Sequence, residues 1–239
     1  ILLAFAGHDT TGHTLTWLIY ELCKNIRYQN KLREEVIAFF KTNNTLNYRD
    51  LNKFPFLNRC LIETLRLWPA VANGTLRKLD NTVKIMGINN NYQYIPKNTN
   101  IHIMNWSRHR STKLWGNDAD IFNPDRNFTD DELLGDCKDK PLGAYNPASE
   151  RFSPFSFGPR DCLGKNFAQM EMRMIIIYLL REFTMKFTNE QLDYLEKCNY
   201  NYYGLNRATL GPRDIKDKRQ LPEKILLDNP GMGLWITYQ

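Results

Sequence analysis

The ten residues FSFGPRDCLG, 155–164, hold a single thiol, Cys162, among two phenylalanines, two glycines, a proline and an arginine. A lone cysteine is ordinarily a small buried hydrophobe. This one stands just before an apolar run that reads as a helix over about 163–183, behind a Gly-Pro-Arg-Asp turn. The free N–H groups and the dipole at a helix N-terminus favour an anion there. A thiolate is stabilised by such a setting, and a thiolate is a metal ligand. Gly158 and Gly164 would let backbone or a flat ligand come close. Phe155 could shield the sulfur from water, and Arg160 places a cation two residues away. Together these residues suggest one thiolate ligand beneath a planar cofactor.

Other residues carry weaker signals. Glu63 and Arg66 in ETLR lie three apart in a predicted helix and can pair across one turn. At a surface such a pair contributes only a few tenths of a kcal/mol. AGHDTT, 6–11, puts Gly7, Asp9, Thr10 and Thr11 inside another predicted helix. Glycine costs about 1 kcal/mol there relative to alanine, and threonine hydroxyls can bond the carbonyl one turn back. From the residues alone this is a polar turn on a partly exposed helix. His8 and His13 are five apart, not the i,i+4 of a shared metal face, and read as structural or substrate-facing. His109, in SRHR, is assigned no catalytic role, and Arg77 reads equally as a strand-edge arginine. Cys23 and Cys60 fall near apolar helix faces, whereas Cys137 and Cys198 lie in polar stretches.

The elements that must position these groups are mostly helical. Residues 1–27 predict a helix with Leu15, Leu18, Ile19, Leu22 and Ile26 on one face. Two more are predicted at 29–41 and about 55–68, the latter ended by Pro69. TVKIMG, YQYIP and NIHIMNW are short, β-rich and separated by turn residues, which reads as a small sheet. From 107 to 161 periodicity fades into an irregular stretch of a kind that is often functional. The tail is polar to about 228 and ends in a predicted strand, GLWITY. The simplest organisation is one domain over 1–239.

Composition narrows the classes. Hydrophobic residues are 42% of the 239, enough for a core. The net charge of +6 is mild, and the basic residues sit beside acids, as a solvated face rather than a nucleic-acid patch. Five widely spaced cysteines without a C-x-x-C fit a reducing compartment. No apolar run approaches the roughly 20 residues of a membrane span. Ile1 opens within an apolar stretch, as a chain cut inside a helix would.

Phe155, Gly158, Arg160, Cys162 and Gly164 resemble the haem-binding signature of the cytochrome P450 family at every fixed position. AGHDTT is similar to the family's oxygen-binding distal-helix segment, ETLR to its E-x-x-R motif, and FNPDRNF, 122–128, to its Arg-bearing meander. The resemblance covers the chain to about residue 188 and the last ten or so residues. It implies a mainly α fold with a small β-sheet, the C-terminal half of the P450 fold, as a single haem-thiolate domain.

The resemblance also implies roles. The cofactor is haem b, with Cys162 as the iron ligand. Glu63, Arg66 and Arg126 form a buried network that positions the Cys162 loop, and Arg160 and Arg77 hold the propionates. Thr10 holds the oxygen being activated and Asp9 relays protons. Ala6, Gly7, Val71 and Ala72 contact substrate. The activity implied is monooxygenation of a hydrophobic substrate, with fatty-acid hydroxylases the nearest branch. Partners are O2 and an NADPH-dependent reductase docking on the Cys162 side, where Lys165 and Arg173 are candidate contacts or simply solubilise their helix. The location implied is intracellular, on the endoplasmic reticulum in a eukaryote, with any membrane anchor N-terminal to this chain. Two alternatives are a truncated, non-catalytic haem-binding or sensor protein and a helical interaction module with a structural cysteine.

Overall fold

The computed structural model describes residues 2–87, 90–133, 147–189, 192 and 236–238, with the backbone alone for 2–6 and 236–238. Cys137, Cys198 and nearly all of the polar tail lie outside the described residues.

Helix α1 (Leu2–Lys24) stops one turn before the predicted end, and α2 (Ile26–Thr42) follows at once. Asn25 makes the break. Its backbone N–H and its side-chain amide both donate to the Glu21 carbonyl, each at 2.9 Å. A short polar side chain that competes for a backbone acceptor interrupts a helix in this way. The Asn25 carbonyl then receives the Tyr28 and Gln29 N–H groups, which starts α2. Ile26, expected on the buried face of the first helix, is consequently 52% exposed.

Helix α3 (Pro55–Leu67) begins with a proline, which lacks the N–H that a first turn could not satisfy. The next two N–H groups, of Phe56 and Leu57, donate to the Glu35 carboxylate of α2 at 2.8 and 3.0 Å. Ten of the thirteen residues of α3 are buried, so it is the central element. Leu18 and Leu22 of α1, Leu32 and Val36 of α2, Leu57 and Leu61 of α3, and Ile176 and Leu180 of α6 (Lys165–Glu182) share one core. Each such side chain contributes roughly 1.5–3 kcal/mol by burial. Beside it, Trp17 stacks on Trp68 at 3.6 Å, and the Trp68 indole donates to Glu21 at 2.9 Å.

Among the described residues the strands form three antiparallel pairs. β1 (Thr75–Lys78) pairs with β4 (Asn100–Ile103), and β2 (Val83–Met86) with β3 (Tyr92–Ile95) as a hairpin between them. β5 (Met185–Phe187) pairs with β6 (Ile236–Tyr238), within the predicted terminal strand. β1 escaped the sequence pattern because four residues with two cations show no clear alternation. The expected strand 100–106 ends at Ile103, and Asn105 begins α4 (Asn105–His109), followed by α5 (Thr112–Trp115). Helices of one turn are too short to display a 3.6-residue period, so their span read as irregular.

Gly74 fixes the link from α3 to β1. Its φ is +70°, and a Cβ there would lie 1.9 Å from the Ile103 carbonyl oxygen. Gly74→Ala is expected to destabilise the chain by at least about 1–3 kcal/mol, the usual cost of a left-handed non-glycine residue before any clash. The denaturation midpoint checks this; an unchanged midpoint would show that β1 and β4 separate freely.

The architecture is mainly α with small antiparallel pairs. Among the described residues no helix is long and apolar enough to cross a membrane.

Candidate functional site

Cys162 stands on a loop closed by its own backbone. The Cys162 N–H donates to the Phe155 carbonyl at 2.8 Å, so the segment 155–162 returns on itself. Inside the loop, Gly158 has φ +74° and Ser156 φ +65°, and a short 3-10 turn spans Gly158–Arg160. Left-handed backbone at a non-glycine residue is stored strain of the kind found at functional loops. Phe155 anchors the loop, packing against both the main core and a second cluster of Ile62, Leu65, Trp115 and Phe152. Its role is therefore also structural, beyond the shielding expected of it. The Lys165 N–H, first in α6, donates to the Cys162 carbonyl at 3.3 Å.

The thiol is exposed, as are Leu163 at 86% and Phe157 at 72% on the same segment. Arg160 is also exposed. A Cβ built on Gly158 meets nothing within 4 Å, and one on Gly164 meets only the Cys162 sulfur, at 4.0 Å. The other described cysteines differ. Burial pushes the Cys60 thiol well up and the Cys23 thiol up to about 12, so both stay protonated and are poor ligands.

A buried ionic network is centred on α3. Glu63 and Arg66 are fully buried and meet through two bonds, Nε to Oε2 at 2.7 Å and Nη2 to Oε1 at 2.8 Å. Arg126 approaches Glu63 Oε1 at 3.4 Å, and the Asn123 N–H donates to the same oxygen at 2.9 Å. The remaining donors are also used. Arg66 donates to the carbonyls of His109, Ala119 and Ile121, and Arg126 to those of Trp115, Asp118 and Ile121 and to the Asp118 carboxylate. A bidentate carboxylate–guanidinium pair with every donor engaged is the geometry in which a buried ion pair is tolerable. Glu63 and Arg66 on one turn of α3, with Arg126 from 63 residues beyond Glu63, thus knit α3, α4 and the 115–126 segment.

The polar segment of α1 is built as paired turns. The Thr14 hydroxyl donates to the Thr10 carbonyl and the Thr16 hydroxyl to the Gly12 carbonyl, both at 2.9 Å. His13 Nδ1 lies 2.6 Å from the Asp9 carbonyl and 3.3 Å from its carboxylate. Histidine spacing with His8 hid this; the informative spacing was four residues back to an acid. Asp9 remains half exposed, and a Cβ on Gly7 would meet nothing within 4 Å. Ala6 lies on α1, its side chain outside the described residues. Val71 is exposed, and the Ala72 carbonyl accepts the Trp106 N–H at 2.9 Å. Arg77 sits in β1 opposite Ile101, its guanidinium bonded to the Leu76 carbonyl.

One expected surface contact is corrected. Arg173 is buried, donating to the Gln169 carbonyl at 2.9 Å and to Asn58 at 2.8 Å, so it ties α6 to α3 and offers nothing to a docking partner. Lys165 pairs with Asp161 at 2.7 Å. Sequence reasoning also missed Glu132, which is buried and held by Arg151 at 2.7 and 2.8 Å and by the Ser149 hydroxyl at 2.6 Å. Its partners lie 17 and 19 residues away, beyond the reach of any local pattern.

The family model for cytochrome P450 matches residues 1–199. The chain belongs to the cytochrome P450 family. It is similar to echinocystic acid 23-monooxygenase of Saponaria officinalis, 33% identical over 77% of this chain and 32% of that protein. It is also similar to cytochrome P450 3A12 of Canis lupus familiaris, 33% identical over 78% of this chain and 33% of that protein. Cytokinin hydroxylase of Arabidopsis thaliana is 36% identical over 75% of this chain and 31% of that protein. The chain spans about a third of the length of these curated P450 relatives.

P450 membership implies a haem cofactor, and the donor set fits one. Among the described residues no group of three His, Cys, Asp or Glu could hold a bare metal ion. A lone exposed thiol between exposed apolar side chains suits instead an iron whose other ligands belong to a flat apolar macrocycle.

Proposed function

We propose that this chain is part of a haem-thiolate monooxygenase acting on a small hydrophobic substrate. The observation that carries the proposal is Cys162: an exposed thiol on a backbone-closed loop at the start of α6, inside the family's signature. Haem b, once bound, would activate O2 so that one oxygen atom enters a C–H bond and the other leaves as water, with two electrons from a redox partner and two protons.

In this reading Cys162 supplies the anionic sulfur, and the Phe155–Cys162 closure fixes where it stands. Phe155, Gly158 and Gly164 keep the loop close and flat, and Arg160 and Arg77 neutralise the propionates. Asp9, half exposed beside His13, takes up protons from water and passes them to the Thr10 hydroxyl. Gly7, with open space where a side chain would be, leaves room for O2 and substrate alongside Ala6, Val71 and Ala72. A fatty acid is the substrate class the sequence resemblance favours, and an NADPH-dependent reductase the electron donor.

A carbon monoxide difference spectrum of the reduced, haem-supplied protein tests the reading. The red-shifted Soret band of thiolate ligation is expected. Haem bound stoichiometrically without that band would overturn it. A second variant probes turnover. General acid–base assistance is commonly worth about 10²–10⁴-fold, so Thr10→Ala is expected to cut product per NADPH at least about tenfold and release peroxide instead. Unchanged coupling would remove Thr10 from proton delivery.

A further inference from the structure

The end of α4 reaches the Cys162 loop at the residue where that loop leaves the core. Arg108 donates through Nη2 to the Ser153 hydroxyl, and the Ser153 N–H donates to His109 Nε2 at 3.3 Å. Ser153 therefore meets α4 through both its side chain and its backbone. The same two residues reach in two other directions. The His109 carbonyl accepts Arg66 at 2.7 Å, which links it to the buried Glu63 pair. Arg108 also donates to Asn105 Oδ1 at 3.1 Å, while Asn105 Nδ2 donates to the Val71 carbonyl.

The His109 ring is fully buried and lies 4.9 Å from Phe152. Burial, with Arg108 and Arg66 nearby, pushes its pKa down to about 3. The ring is therefore neutral, and since Nε2 accepts, its proton sits on Nδ1. Nδ1 has no well-formed hydrogen bond, although the Leu65 and Arg66 backbone nearby favours its proton. Such incomplete satisfaction is costly in a core. Packing alone would be served better by an apolar ring.

We propose that Arg108 and His109 are positioning residues for the Cys162 thiolate, tying Ser153 to the Glu63–Arg66 ion pair and to the backbone at Val71. The inference rests on the haem-thiolate reading above. α4 is a short strut: one end holds the Val71–Ala72 segment and the other the root of the thiolate loop, through Trp106, Asn105, Arg108 and His109. A shift in either end is transmitted as a change in where the sulfur stands, which changes the sulfur's bond to iron and hence the iron's potential.

The test uses haem-loaded protein containing the whole chain. His109→Phe keeps the ring and its packing on Phe152 but removes the acceptor for the Ser153 N–H. His109→Gln keeps an acceptor at the same reach. In His109→Phe the fraction of the carbon monoxide complex in the red-shifted band is expected to fall at least about twofold, with a displaced reduction potential, and His109→Gln is expected to restore both. A folded His109→Phe protein with the wild-type band and potential overturns the inference alone. If that variant does not fold, Ser153→Ala decides: it removes only the hydroxyl that Arg108 holds, and a wild-type spectrum and potential there overturn the inference. A wild-type protein that binds haem without the red-shifted band overturns the haem-thiolate reading, and the inference with it.

Discussion

Cys162→Ala is expected to abolish the thiolate-type carbon monoxide band while leaving the fold intact. The side chain is exposed, so its removal opens no cavity. The contact that closes the loop uses the Cys162 backbone N–H, which alanine retains. The protein should therefore keep its circular dichroism and melt within a few degrees of wild type, since surface substitutions usually stay within about 0.5 kcal/mol. No other described cysteine can take over. Burial keeps Cys60 and Cys23 protonated, and both pack in or against the helical core. Any haem that the variant retains should show the band of a nitrogen- or water-ligated iron. Persistence of the red-shifted band in Cys162→Ala would mean that another thiol is the ligand.

Loss of either partner of the Glu63–Arg66 pair should be the most damaging change outside the loop. In Glu63→Ala two guanidinium groups lose their common carboxylate, and Arg66 is left fully buried and charged. Arg66→Ala strands the Glu63 carboxylate and frees the carbonyls of His109 and Ala119. Breaking a buried pair from one side typically costs about 3–5 kcal/mol, a large part of the stability of an ordinary domain. Arg66→Lys should not rescue, because an ammonium cannot reproduce the bidentate fork and the three carbonyl contacts. The expected result is no haem incorporation in either alanine variant. Haem content by extraction, read beside the denaturation midpoint of haem-free protein, separates loss of the site from loss of the fold. Normal haem content in Glu63→Ala would show that the network does not position the loop.

Much of this was legible in the sequence because it is local. Helical periodicity located α2, α3 and α6, since burial on one face imposes a 3.6-residue spacing. The thiolate candidate was legible because its cues lie within ten residues: glycines, a turn and the start of an apolar helix. Competition of a single side chain for one carbonyl was not legible, and it split the first helix at Asn25.

The sequence by itself determined the helical framework and singled out Cys162 as the candidate thiolate. Only the tertiary structure decided which polar side chains are buried and how they are paired. Glu63 and Arg66 look like an ordinary surface pair in one dimension. Their burial, and the arrival of Arg126, Asn123 and His109 from 43 to 63 residues away, turn them into a network. The same holds for Arg173, expected to dock a partner or to solubilise its helix, whose bond to Asn58 crosses 115 residues. The physical reason is that a polar group's energy depends on whether its partners arrive when the chain closes over it. Spacing along the chain carries no record of those arrivals.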